Sequence, residues 1–333
     1  MRSSRFLLLA LMPLAALVLS ACGGSSAANE SQPTATSTPG SADADFAGLV
    51  DIGGRNIYLE CAGEGSPTVV LVSGYRGSAE DWHTTAVTPP TTDAPPVFEQ
   101  VSEFTRVCAY DRPGTPVGEE PSRSDAVPMP VTAEDMMNDL HALLQAADVP
   151  GPYVLVGHSF AGLTINLYAR TYPSEVVGLM FVDAQSVVFR DAFTDELWEI
   201  QRALLTGEGS ETDAESLAIY PDLERIDPDR SYDQVRAAPP LQPVPLTVLS
   251  AGNSWGPIVE DMVAAGQLPA IVPADFGYVV DAAAKQSQAA LAQLTPDAKH
   301  IKDINSGHLV QYEQPQLVSD EIRELVDKVR SET

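Results

Sequence analysis

Short runs of apolar residues that favour β-strands alternate with longer amphipathic stretches along most of this chain. At residues 68–72 the run is Thr-Val-Val-Leu-Val, in which four successive positions are apolar. A continuous run of this kind is typical of a strand buried on both faces of a sheet. Further strands are predicted at 107–110, 153–156, 178–182, 246–250 and 299–304, and a two-stranded hairpin at 49–52 and 56–62.

Helical patterns lie between these strands. Thr132 is a favourable N-cap, and Glu134 and Asp135 in the next turn suit the positive end of a helix dipole. A second helical pattern ends at Tyr172, before a proline, and a last amphipathic helix covers residues 317–329. Strands that alternate with helices favour a mostly parallel sheet covered on both faces, which is an α/β fold.

One connection is much longer than the others. The segment between residues 183 and 246 contains about 60 residues, far more than a βα unit needs. Within it, Thr194 is predicted to begin a helix that ends at Gly207, and residues 208–236 are charged and less regular. We interpret residues 184–240 as a cap over the functional site; the alternative is a solvated surface excursion. The apolar residues of the predicted helix are Leu197, Trp198, Leu204 and Leu205. Of these, Trp198 with Leu197 and Leu204 suits either an apolar acyl or alkyl pocket or ordinary core packing.

The N-terminal residues have the pattern of an export signal. Arg2 and Arg5 precede a short apolar run that closes in Leu-Ser-Ala-Cys at residues 19–22. This ending resembles the lipobox of bacterial lipoproteins. The resemblance implies a signal peptide at 1–21 and a lipidated Cys22 that anchors the exported protein in the cell-envelope membrane. The alternative is a plain signal peptide cut near residue 21. Residues 22–45, rich in Gly, Ser, Ala, Thr and Pro, are predicted to form a flexible tether.

The charge of the chain argues against two classes of partner. Aspartate and glutamate number 46 against 19 lysine and arginine residues, which gives a formal net charge of −27. Such a surface repels nucleic acid and anionic lipid headgroups. We therefore expect no nucleic-acid partner, membrane contact only through the N-terminal lipid, and a monomer. Because the chain contains no H-E-x-x-H, C-x-x-C or phosphate-loop motif, we predict neither a metal nor another cofactor.

Residues 157–162, Gly-His-Ser-Phe-Ala-Gly, form the most informative turn in the sequence. A β-forming run leads into this turn and a helical pattern follows it. A serine at such a tight turn projects clear of its backbone, and small residues must flank it, here Gly157 and Ala161. Ser159 is therefore a candidate nucleophile at a helix N-terminus, where free N–H groups can stabilise an oxyanion. The alternative is an ordinary turn whose serine caps the helix.

Several short motifs resemble the α/β-hydrolase superfamily in order and spacing: Ser-Gly-Tyr at 73–75, Tyr-Asp-Arg-Pro-Gly at 110–114, the turn at 157–162, and Ser-Gly-His at 306–308. The resemblance implies an α/β-hydrolase domain at 46–333, with a mostly parallel eight-stranded sheet and a cap after the sixth strand. Three features depart from the family's pattern: Ser73, where many members have histidine, Ala161, where glycine is usual, and the Thr-Pro-Val-Gly stretch at 115–118, where a second glycine usually follows sooner.

The same resemblance assigns the partners of the serine. The family's general base comes last in the chain, and His308, one of five histidines, follows the final predicted strand. Asp183 directly follows a predicted strand and is the favoured acid, whereas Asp261 and Glu260 are the alternatives beyond a later strand. Two backbone N–H groups would form the oxyanion hole by position: those of Tyr75 and Phe160.

The resemblance also bears on the cysteines. With Cys22 assigned to lipidation, Cys61 and Cys108 remain, both in predicted strands of an exported chain. The family's strand order makes the second and fourth strands neighbours, which implies a disulfide between Cys61 and Cys108. Two buried free thiols are the alternative.

These observations together favour a serine hydrolase. It would cleave a carboxylic ester, or less readily an amide, of a small molecule through an acyl-serine intermediate and without a cofactor. Serine at the turn argues against dehalogenase and epoxide-hydrolase chemistry, which uses aspartate there. Two other functions stay open: a non-catalytic ligand-binding or receptor lipoprotein on the same fold, and a cofactor-free perhydrolase or C–C hydrolase.

Overall fold

The computed structural model describes residues 45–85, 93–208 and 210–332. The predicted signal peptide, Cys22 and all of the predicted tether except Asp45 therefore lie outside the described residues. Within those ranges, no helix combines the length and apolar character needed to cross a membrane.

Eight strands form a single sheet. They are β1 (Phe46–Asp51), β2 (Asn56–Ala62), β3 (Thr68–Val72), β4 (Val107–Tyr110), β5 (Tyr153–His158), β6 (Val176–Val182), β7 (Leu246–Ala251) and β8 (Lys299–Ile304). Their order is β1-β2-β4-β3-β5-β6-β7-β8. The strand β2 is antiparallel to both β1 and β4, and every other neighbouring pair is parallel. The predicted fold class, a mostly parallel eight-stranded α/β sheet in the α/β-hydrolase order, is confirmed.

Helices cover both faces of this sheet. They are a short 3₁₀ helix (Ala79–Trp82) and α1 (Val97–Ser102), α2 (Ala133–Ala146), α3 (Ala161–Thr171), α4 (Val187–Asp191), α5 (Asp195–Thr206), α6 (Glu211–Ile219), α7 (Pro228–Ala237), α8 (Gly256–Ala264), α9 (Phe276–Leu291), α10 (Val310–Glu313) and α11 (Pro315–Glu332). The N-cap Thr132 begins α2 with a reciprocal capping box to Asp135, and Gly207, with a left-handed φ of 71°, ends α5.

The central strands are buried on both faces. In β5, Leu155 packs into one hydrophobic cluster, whereas Val154 and Val156 pack into a second cluster on the other side. Because successive strand residues point to opposite faces, both faces need apolar side chains at every position. This requirement explains the continuous apolar runs in the sequence.

The long connection between β6 and β7 is more regular than the sequence suggested. Residues 208–236 contain two helices, α6 and α7. The Ser210 hydroxyl caps α6 by accepting from a backbone N–H, and the Asp227 carboxylate caps α7, which begins with a proline. These local capping signals outweighed the high charge of the segment.

The predicted disulfide joins β2 to β4. Cys61 and Cys108 face each other in the antiparallel register, and their sulfurs are bonded. The bond closes a separation of 47 residues, which corresponds to about 4 kcal/mol in the chain-entropy description.

Candidate active site

Ser159 occupies the tight turn between β5 and α3. Its φ is 55°, a left-handed conformation that is uncommon for a residue with a side chain. A Cβ on Gly157 would lie 2.9 Å from Cδ1 of Ile165 and 3.1 Å from the backbone oxygen of Ala161, so a side chain there would crowd the turn. The side chain of Ser159 lines a cavity at the carboxyl end of the sheet, although the residue is only 3% exposed.

His308 reaches Ser159 from the segment after β8. Its Nε2 lies 2.8 Å from the Ser159 Oγ, and its Nδ1 lies 2.6 Å from Oδ2 of Asp183 at the end of β6. Because an ionised carboxylate only accepts hydrogen bonds, the network assigns the proton to Nδ1. Nε2 is then free to accept the proton of the serine hydroxyl, which is the arrangement of a nucleophile and its base.

Two further donors hold the Asp183 carboxylate. Its Oδ1 accepts from the backbone N–H of Ala251 at 3.0 Å and from the side-chain amide of Gln288. Burial is the largest single influence and raises the pKa of Asp183. Three partners outweigh burial and bring the pKa of Asp183 below its usual 3.8: His308, through its hydrogen bond and charge, and the Ala251 and Gln288 donors. The carboxylate is therefore ionised and can stabilise an imidazolium.

The alternative acids lie elsewhere. Glu260 and Asp261 are exposed on α8, where Glu260 accepts a hydrogen bond from the Tyr278 hydroxyl. Of the three candidate acids, the structure brings Asp183 alone to His308.

The predicted oxyanion donors flank Ser159. A Cβ added to Gly74 would lie 3.0 Å from the Cβ of Ser159 and 2.8 Å from Nδ1 of His158, so the backbone after β3 packs directly against the turn. Among the described residues, the backbone N–H groups of Tyr75 and Phe160 donate to no other protein group. Both groups are thus free to bind a substrate oxyanion.

A buried ion pair supports residues 73–76, called the Tyr75 loop below, and the sequence analysis missed it. Arg112 donates to the carbonyls of residues 73–74, at 2.7 and 2.5 Å, and pairs with Glu224 at 2.6 Å. Glu224 lies in the long connection between β6 and β7, called the insertion below. Its carboxylate also accepts from the Arg76 backbone N–H, and its backbone carbonyl accepts from the Tyr75 hydroxyl at 3.1 Å. The available signal was Arg112 itself, since a cation two residues after a buried strand requires a buried partner.

A cavity of about 60 Å³ adjoins Ser159 and His308. Residues of α4, α5, α9 and the segment after β7 complete its wall: Phe189, Gln201, Leu205, Trp255, Val280 and Ala284. Trp198 does not line this cavity; it is 1% exposed and packs against Phe193 and Tyr232. Of the two interpretations of this residue, core packing is correct.

The fold is that of an α/β-hydrolase, and it brings Ser159, His308 and Asp183 into one hydrogen-bonded series. Residues 69–321 match the Alpha/beta hydrolase family, and the chain belongs to that family. Family membership supports hydrolase activity in the broad sense.

Relatives match parts of this chain. An uncharacterised protein of Schizosaccharomyces pombe is 35% identical over 148 residues, which cover 39% of this chain and 26% of that protein. The chain thus matches about a quarter of that relative's length. An AB hydrolase superfamily protein of Gibberella zeae is 24% identical over 271 residues, 68% of this chain and 79% of that protein.

A thermophilic esterase from Thermogutta terrifontis is similar in structure. Its TM-score is 0.50 at 21% identity, and the match covers 86% of this chain and 99% of the esterase. At this identity the likeness shows the fold alone.

Proposed function

We propose that the protein is a serine esterase that cleaves small carboxylic esters through an acyl-Ser159 intermediate. The observation that carries this proposal is the unbroken series of hydrogen bonds from Ser159 through His308 to Asp183, at 2.8 and 2.6 Å. A serine hydroxyl becomes an effective nucleophile only when an oriented base accepts its proton, and this geometry supplies such a base.

The mechanism follows from these positions. The Ser159 Oγ attacks the ester carbonyl carbon while His308 Nε2 takes the hydroxyl proton, and Asp183 stabilises the imidazolium. The backbone N–H groups of Tyr75 and Phe160 bind the oxyanion; one such donor contributes roughly 10² to 10³ in rate. The C–O bond to the alcohol then breaks as His308 returns the proton to the leaving oxygen. Water, deprotonated by His308, attacks the acyl-serine and releases the acid.

The test is hydrolysis of p-nitrophenyl esters together with fluorophosphonate labelling. We expect the wild-type chain to hydrolyse the ester and to be labelled at Ser159. The variant Ser159→Ala should lose both properties, whereas Ser331→Ala, at an exposed serine of α11, should keep them. Absence of both hydrolysis and labelling in the wild-type chain would instead favour a ligand-binding lipoprotein.

We further propose that the protein is exported and anchored by a lipid on Cys22. The charged start, the short apolar run and the Leu-Ser-Ala-Cys ending support this proposal. So does the Cys61–Cys108 disulfide, because such bonds persist mainly in oxidising compartments. Metabolic labelling with radioactive palmitate should mark the wild-type chain in a bacterial membrane fraction, and Cys22→Ala should be unlabelled. Equal labelling of both chains would contradict the anchor.

A further inference from the structure

The buried face of α5 carries one polar residue. Trp198, Gln201 and Leu205 are the buried side chains of this helix, and their spacing of three and four residues places them along one stripe. Glutamine is mostly exposed in proteins, yet Gln201 is 5% exposed. Trp198 packs into the core, whereas Gln201 and Leu205 line the cavity beside Ser159.

The Gln201 amide has no hydrogen-bond partner within residues 45–85, 93–208 and 210–332. The two other glutamines of the cavity wall are engaged. Gln288 donates to Asp183, and Gln185 accepts from the Tyr232 hydroxyl at 2.7 Å. The amide atoms of Gln201 keep some accessible surface and open into the cavity, so a bound ligand can form the hydrogen bonds that the protein leaves unmade there.

Four apolar side chains form another part of this wall, and the cavity is small. Phe189, Leu205, Val280 and Ala284 present only carbon to it, and its volume is about 60 Å³. On this measure of volume a single water molecule needs about 10–15 Å³, so the space suits a substituent of a few heavy atoms. The wall therefore combines a short apolar slot with one hydrogen-bonding point on the insertion.

We propose that Gln201 determines substrate specificity by bonding to a hydroxyl or carbonyl substituent of a short ester. This proposal rests on the esterase function proposed above. An amide is both donor and acceptor, so either substituent satisfies one end of it. A site built to bond a polar group strongly rejects an analogue that lacks the group, because the site's own amide is then left unpaired.

Two pairs of esters of matched shape test the proposal, one for each side of the scissile bond. The acyl pair is p-nitrophenyl 3-hydroxybutyrate and p-nitrophenyl 3-methylbutyrate. The alcohol pair is 3-hydroxybutyl acetate and 3-methylbutyl acetate. For at least one pair we expect the wild-type chain to favour the hydroxyl ester at least tenfold in kcat/KM. In Gln201→Met, a change of similar volume, the ratio should fall to near one, whereas Leu197→Met, on the same helix but outside the cavity wall, should retain it.

The rate of fluorophosphonate labelling at Ser159 separates the possible outcomes. A lost preference in Gln201→Met with labelling intact supports the specificity role. Equal hydrolysis within both pairs by the wild-type chain, a result that needs no variant to fold, overturns the specificity proposal alone. A preference that survives in Gln201→Met also overturns it. Absence of labelling and of all hydrolysis in the wild-type chain overturns the esterase function and this proposal together.

Discussion

Glu224, in the insertion between β6 and β7, forms a fully buried ion pair with Arg112, which follows β4. The Arg112 Nε lies 2.6 Å from the Glu224 Oε1, and the two side chains are 4% and 0% exposed. Both residues also bond to residues 73–76, the segment that carries the Tyr75 N–H. The insertion is therefore connected, through two charged side chains, to the backbone that would bind the oxyanion.

Removal of the Glu224 carboxylate should affect both stability and catalysis. In Glu224→Ala the Arg112 charge stays buried without its partner, and we expect a loss of about 3–5 kcal/mol in the free energy of unfolding. The Tyr75 loop also loses a support, so kcat should fall at least tenfold. Glu224→Gln keeps one acceptor and should lose less. Urea unfolding and ester kinetics measure both effects.

Glu199→Ala is the control for this prediction, since it removes an exposed ion pair with Arg202. Its expected effect on stability is below about 1 kcal/mol. If Glu224→Ala behaved like this control in both measurements, the support of the Tyr75 loop by Glu224 would be refuted.

Asp183→Asn should lower kcat by about 10² to 10⁴. Asparagine preserves the shape of the side chain, but it can donate to His308 Nδ1 and so favour the wrong tautomer of the ring. Stopped ester assays on Asp183→Asn and on Asp261→Asn measure the contrast, because Asp261 is exposed on α8 and should behave as wild type. Equal activities of the two variants would remove Asp183 from the mechanism.

His158 should make the fold less stable in acid. Burial, followed by the nearby His308 charge, lowers the pKa of His158 from 6.5 to about 3, while its Nε2 bonds to the His308 carbonyl at 2.9 Å. As the pH falls, the unfolded chain binds this proton at a higher pH than the folded chain does. The neutral ring therefore makes its full contribution to the free energy of unfolding above about pH 6.5. This contribution is lost as the pH falls toward 3, by about 1.4 kcal/mol per pH unit.

The variant His158→Gln lacks this titrating group. The stability advantage of wild type over the variant should therefore shrink by close to that slope between pH 6 and 5, and by roughly half as much between pH 7 and 6, in urea unfolding at these three pH values. Burial also raises the pKa of Asp81 to about 6, but Asp81 titrates in both proteins and cancels in the difference. A difference that does not change with pH would count against the buried neutral ring.

Gly74→Ala should impair catalysis more than stability. The new Cβ would lie 3.0 Å from the Ser159 Cβ and 2.8 Å from the His158 Nδ1, so the Tyr75 backbone must move away from the turn. Displacing one oxyanion donor costs roughly 10² to 10³ in kcat. Gly48→Ala in β1 is the matched control, because its nearest contact, a Phe46 ring carbon at 3.4 Å, is ordinary. Comparable kcat values for the two variants would show that the Tyr75 N–H is not a donor.

The strands and the serine turn were predictable because each has a local cause. Burial on both faces requires apolar residues at every position of β3 and β5, and the tight turn requires small residues around Ser159. Asp183 stayed one of three candidates, because the acid is selected by the distance between neighbouring strands and not by a fixed spacing in the sequence. Helix α9 was missed because its buried face includes Ser287 and Gln288, which weaken the apolar periodicity.

Glu224 and Gln201 were missed for different reasons. Glu224 pairs with a residue 112 positions away, and no local pattern marks such a partner. Gln201 did leave a signal, since it lies three residues after Trp198 and four before Leu205 on the same stripe.

The insertion between β6 and β7 contains both Gln201 at the cavity and Glu224 against Arg112. Transplanting this segment from another hydrolase, a common route to altered selectivity, would therefore also strip Arg112 of its buried counterion. A chimaera that retains Glu224 while exchanging α5 would change the pocket and keep the Arg112–Glu224 ion pair that supports the Tyr75 loop.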